Sequence, residues 1–127
     1  MKVKASDAPQ ARPELGDMAR GVDQGGFTMA MMSLPDGTDL CDLLKGLPHD
    51  HCQCPHWGYL IEGRIRVDYQ DGTTEIVEAG DLYYWPPGHT IAAEGDTRYV
   101  EFSPSDGLAR VLDHVVAQMG ARGPAES

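Results

Sequence analysis

Residues 64–77 read RIRVDYQDGTTEIV, the strongest structural signal in the chain. Arg64, Arg66 and Asp68 alternate with Ile65, Val67 and Tyr69, the period-two pattern of an antiparallel strand with one wet and one buried face. Asp71-Gly72 follows, a pair that tolerates positive φ, so Thr73 to Val77 is expected to return as the second strand of a hairpin. Downstream, Gly80-Asp81 opens a short strand, Leu82 to Trp85, which Pro86-Pro87-Gly88 breaks. Thr90 to Ala93 resumes, Glu94-Gly95-Asp96 predicts a turn, and Arg98 to Phe102 forms a last strand. Upstream, Phe27 to Leu34 (FTMAMMSL) is an apolar run between Gly26 and Pro35-Asp36-Gly37, which suits a buried strand, with Met29, Met31 and Met32 as core filler. Short strands at this spacing predict an all-β sandwich or barrel.

The flanks differ in kind. Residues 1–26 contain Pro9, Pro13, Gly16, Gly21, Gly25 and Gly26 and few large apolar side chains, as expected of a partly ordered arm or an edge strand. Asp39 to Lys45 places Leu40, Leu43 and Leu44 on one helical face with Gly46 behind it, predicting one or two helical turns with Cys41 as an inert buried thiol beside them. Leu108, Val111, Leu112, Val115, Val116 and Met119 follow the spacing of an amphipathic helix over 105–120 that stops at Gly120. That apolar stripe needs a cover, either the barrel or a second subunit. His114 lies off the stripe and reads as a solvated surface histidine. The organisation is thus an arm (1–26), a barrel (27–104), a helix (105–120) and a disordered tail (121–127).

The chain has 127 residues, with 10 Lys+Arg against 20 Asp+Glu and a formal charge of −10. The electrostatic term that dominates nucleic-acid binding has the wrong sign, and an anionic membrane surface repels such a protein. No apolar run approaches the roughly 18 residues of a membrane span, and the opening residues lack the apolar stretch of a secretory signal. Three cysteines, Cys41, Cys52 and Cys54, are too few for a disulfide scaffold and fit a reducing compartment, so the expected location is the cytoplasm.

Four of the five histidines lie between His49 and His89, the densest group being His49-Asp50-His51-Cys52-Gln53-Cys54-Pro55-His56. On an extended strand His49 and His51 leave the same face and can converge on one ion, whereas on a helix they would diverge. Pro55 predicts a turn that brings His56 back on a neighbouring strand, so that three imidazoles meet. Neutral imidazole suits a divalent transition metal, Fe, Zn, Ni, Mn, Co or Cu, rather than Mg or Ca. Cys52 and Cys54 point away from His51 by strand parity and read as ordinary free thiols.

These residues resemble the cupin superfamily, whose first motif is H-x-H, four residues, Glu, six residues, Gly. Here His49-x-His51 is followed by four residues, His56, six residues and Gly63, with histidine at the usual glutamate position. The second motif is similar to G-D-x4-P-x-G-x-x-H: Gly80-Asp81, four residues, Pro86-Pro87-Gly88, then His89-Thr90-Ile91, with Ile91 at the expected ligand position and His89 two residues before it. The resemblance covers roughly residues 27–104. It implies a small antiparallel jelly-roll barrel, here with a C-terminal α-helix, holding metal through His49, His51 and His56 with His89 as a fourth candidate ligand.

Three neutral imidazoles would leave the ion its full charge, giving a Lewis acid that favours anionic or chelating small-molecule substrates, as in the all-histidine dioxygenase sites of the superfamily. Oxygenation, isomerisation and lyase chemistry all suit such a site. The alternative is a non-catalytic ligand-binding or sensory module using the same pocket. Trp57, Tyr59, Tyr83, Tyr84 and Trp85 read as core, with Tyr59, Tyr83 and Trp85 as candidate pocket residues. Glu101 is exposed if Val100 and Phe102 pack between sheets, the arrangement we expect; otherwise it faces the barrel interior, as the missing acid or as a partner orienting a histidine. Barrel edges and the apolar helix stripe both invite pairing, which predicts a homodimer.

Overall fold

A computed structural model describes residues 1–122; most of the tail expected to be disordered, residues 123–127, lies outside the described residues. Six strands form one antiparallel sheet: β1 (Ala19–Gln24), β2 (Phe27–Leu34), β3 (His56–Tyr69), β4 (Thr74–Glu78), β5 (Leu82–Trp85) and β6 (His89–Pro104). The order is β1-β2-β6-β3-β4, with β5 pairing the first half of β3. Among the described residues a single α-helix, α1 (Ser105–Arg122), follows β6 directly. The fold is all-β, a small antiparallel jelly roll with a C-terminal helix. No described helix is long and apolar enough to cross a membrane.

The alternation in residues 64–69 does what its period dictates. Ile65 and Val67 are 0% exposed while Arg64 stays in solvent, and Arg64 to Asp68 pairs with Glu78 to Thr74. Gly72 takes φ 90 at the tip of this hairpin. The connection is longer than a two-residue turn, because the Tyr69 N–H closes on the Thr73 carbonyl at 2.9 Å.

At Glu94-Gly95-Asp96 the chain does not reverse. β6 runs through as one sixteen-residue strand, and the glycine serves a bend instead. Gly95 (φ 82) lies across from Gly63 (φ 88), where the β3–β6 register slips between Leu60 and Glu62 and again between Glu62 and Arg64. Paired irregularities of this kind let two neighbouring strands curl together, which closes the barrel wall. A Cβ at Gly63 would collide with Thr97 and with the Asp96 carbonyl at 2.6 Å. Of the two readings of the N-terminal segment, the edge strand forms: Ala19 to Gln24 pairs with β2 at the sheet edge.

Two apolar clusters share the interior. One, built on Leu60, Ile65, Val67, Trp85 and Tyr99, fills the barrel; the other lies under α1, where Leu108, Leu112 and Val115 meet Leu15, Leu44, Cys52 and Cys54. The helix stripe is therefore covered by the chain's own turns. Gly120 does not stop α1, since it has no positive φ and the helix runs on to Arg122. His114 is half-buried, not freely solvated: its Nε2 bonds the Lys45 carbonyl at 2.7 Å, and Gln118 donates to the same oxygen at 3.2 Å. Cys41, on the short 3-10 turn Cys41–Leu44, is exposed because Leu44 takes the inward position.

Aromatics expected in the core divide by parity. His56 and Leu60 point inward, so Trp57, Tyr59 and Ile61 point outward; likewise Tyr83 and Trp85 are buried while Leu82 and Tyr84 are not. The pairing register assembles these outward residues into rows across four strands. Met29, Phe102, Trp57 and Tyr84 form one row, and Met31, Val100, Tyr59 and Leu82 the next. Trp57 stacks on Tyr84 with ring centroids 5.1 Å apart.

Candidate metal centre

The first residues of β3 and β6, His56 and His89, are brought together with Cys52 where three segments meet. His56 pairs with Trp85 of β5. Cys52 forms an isolated bridge to His89, its N–H donating to the His89 carbonyl at 2.8 Å while its own carbonyl accepts from Gly88 N–H at 2.7 Å. One ligand atom from each of Cys52, His56 and His89 lies within 4.8 Å of the others, and all three residues are buried. The imidazole rings of His56 and His89 are edge-on, centroids 5.0 Å apart.

The hydrogen bonds behind the rings fix which nitrogens face the cluster. His89 Nδ1 lies 2.8 Å from the Pro86 carbonyl; a carbonyl only accepts, so Nδ1 carries the proton and the Nε2 lone pair is free. His56 Nδ1 is 2.6 Å from the Ser103 hydroxyl and 3.6 Å from Glu101 Oε2, leaving Nε2 toward Cys52 Sγ at 3.5 Å. An ion held tetrahedrally at about 2.3 Å from sulfur and about 2.0 Å from nitrogen keeps those two donors about 3.5 Å apart. The donor set thus fits a transition metal in chemistry and spacing.

Burial dominates the electrostatics. It holds His56 well below the ordinary histidine pKa, with His89 adding to the effect, and lowers His89 to about 4, so both rings are neutral. It pushes the Cys52 thiol up to about 12 and the Glu101 carboxyl up to about 8, a hydrogen bond from Tyr83 opposing the latter.

Glu101, expected in solvent, is 3% exposed. Phe102 and Val100 belong to the outer rows, so parity turns Tyr99, Glu101 and Ser103 inward. Tyr83 donates to Glu101 Oε1 at 3.4 Å and to the Val100 carbonyl at 3.3 Å. Its ring crosses Gly58, where a Cβ would collide with the Tyr83 ring and the Val100 carbonyl.

A cavity of about 80 Å³ adjoins the cluster. Cys52, His56, His89, Glu101, Trp85 and Tyr99 contribute to its lining; the remaining side chains are apolar and come from the arm, β2, the Leu40–Leu44 turn, β6 and α1. Among the described residues no lysine or arginine lines it. The Trp85 indole N–H is buried without a partner among the described residues.

The other candidate residues lie elsewhere. His49 is exposed, at φ 58 within the short turn Pro48–Asp50. His51 is half-buried, its Nδ1 donating to the His49 carbonyl at 2.6 Å, and stands outside the three-residue cluster. Tyr59 is on the outer sheet face, away from the pocket, because it alternates with the inward His56 and Leu60. Tyr83 acts on Glu101, and Trp85 lines the cavity. Cys52 was the residue the sequence concealed. The parity that turned it away from His51 assumed one extended strand, whereas His49 and Asp50 both take φ 58 and break it.

The Cupin domain family matches residues 42–103, spanning both histidine segments and the bent β3–β6 pair. The chain carries a cupin domain over those residues. Solved structures with this fold include a cupin superfamily protein from Desulfitobacterium hafniense (15% identity, 82% of this chain, 98% of that one, TM-score 0.54). A polyketide cyclase from Streptomyces resistomycificus aligns at 19% identity over 82% of this chain and 78% of its own, with TM-score 0.56. A Bacillus subtilis oxalate decarboxylase mutant aligns at 24% identity and TM-score 0.57 over 82% of this cupin, which spans 29% of that chain. At these identities the likeness is one of fold. No curated protein matches the sequence.

Proposed function

We propose that this cupin holds a divalent transition metal through Cys52, His56 and His89 and binds a small organic substrate in the adjoining cavity. The observation that carries the reading is the convergence of one sulfur and two Nε2 lone pairs, with both distal ring nitrogens already engaged. A thiolate and two neutral imidazoles would leave a divalent ion with a net charge of +1, softer than three imidazoles alone and suited to Zn, Co, Fe or Cu. The bound ion supplies Lewis acidity toward a substrate head group. Half-buried His51 is kept as a further candidate ligand on substrate binding; His49, exposed in its turn, is not.

Cupin folds carry decarboxylase, cyclase and synthase chemistries alike, as the names of the structural neighbours illustrate, so the reaction is argued from the site. The Glu101 carboxyl lines the same cavity as the cluster, which favours metal-assisted isomerisation or lyase chemistry, where a proton moves, over oxygenation. The three free thiols favour the cytoplasm. Elemental analysis of untagged protein tests the metal assignment. About one equivalent of metal, or stoichiometric cobalt uptake, supports it, and less than about a tenth of an equivalent with no uptake overturns it. Turnover against saturable stabilisation separates an enzyme from a binding module.

A further inference from the structure

We infer, on the metal-centre reading, that the substrate is singly charged: one metal-binding head group on a mainly hydrocarbon body that carries no second charged group. The cavity, about 80 Å³, is roughly half the size of the engineered apolar cavity that takes up benzene, which limits the body to about three heavy atoms. Polar lining groups are confined to the cluster and to Glu101, Tyr99 and Trp85. Every other described lining residue is apolar, and none is a lysine, arginine, serine, threonine, asparagine or glutamine. A head group can be met by the ion, but a second carboxylate would be stripped of water with no cation in the lining to meet it. This separates the pocket from one built for a dicarboxylate.

The test compares butyrate with succinate, which share a carbon count and one carboxylate and differ by the second. Cobalt-loaded protein is titrated with each while the visible bands of the ion are followed. Butyrate is expected to perturb the bands with a Kd at least about tenfold below that of succinate. Equal or tighter binding of succinate, with cobalt bound, overturns the substrate class and leaves the metal centre standing; failure of cobalt to bind overturns the metal centre and the inference with it.

Discussion

His56 Nδ1 lies 2.6 Å from the Ser103 hydroxyl, so β6 holds from behind the ring that β3 presents to the cluster. Glu101, two residues earlier on β6, approaches the same nitrogen at 3.6 Å. These partners orient His56 and keep its Nε2 available, as outer groups do for ligating histidines elsewhere. Ser103→Ala and Glu101→Gln are each expected to lower metal affinity about 10–100-fold without unfolding the chain. Competition against a chelator of known affinity, with circular dichroism as the fold control, checks it.

Removing a ligand has a larger effect than removing its support. Cys52→Ser should abolish the near-ultraviolet sulfur-to-cobalt charge-transfer band, a signature that no structural role for Cys52 would produce. His56→Ala and His89→Ala should each lower affinity by more than about 100-fold. His49→Ala and His114→Ala should leave affinity unchanged, although the latter loses the bond to Lys45 and about 1 kcal/mol of stability.

Metal uptake should strengthen as pH rises. With its pKa near 12 the Cys52 thiol is protonated in the metal-free protein, while His89, near 4, already lacks its extra proton above pH 5. Binding as thiolate therefore releases one proton per ion, and the apparent affinity rises about tenfold per pH unit between pH 6 and 9. Calorimetry in buffers of differing ionisation enthalpy measures the proton count; a count of zero would remove Cys52 from the ligand set.

Gly63→Ala should destabilise the fold by about 1–3 kcal/mol. Its φ of 88 disfavours a side chain, and the added carbon meets β6 at the bend. Gly72→Ala, at the open tip of the β3–β4 hairpin with nothing nearby, is the control that isolates backbone strain from collision. Urea melts distinguish the two.

What could be read in the sequence tracks how locally each feature is encoded. The hairpin at residues 64–77 was legible because alternation reports burial directly, and α1 was legible because its stripe repeats. The bend at Gly95 read as a turn because positive φ serves either purpose, and only the opposite strand's Gly63 tells which. The inward direction of Glu101 depends on where the register places Phe102, which is set across strands. The cluster was legible through His56 and His89 and obscured at Cys52, since two consecutive left-handed residues, His49 and Asp50, cancelled the parity on which its orientation was judged.

Cys52 belongs at once to the cluster and to the apolar layer beneath α1. Whatever fixes its sulfur also tightens the seat of Leu108 and Leu112, and whatever loosens that seat frees the sulfur. Ion binding and helix docking are then a single reciprocal coupling, equal in magnitude read from either end. Amide hydrogens along α1, more than 50 residues further along the chain, should exchange more slowly in the loaded protein, making the helix a remote reporter of occupancy.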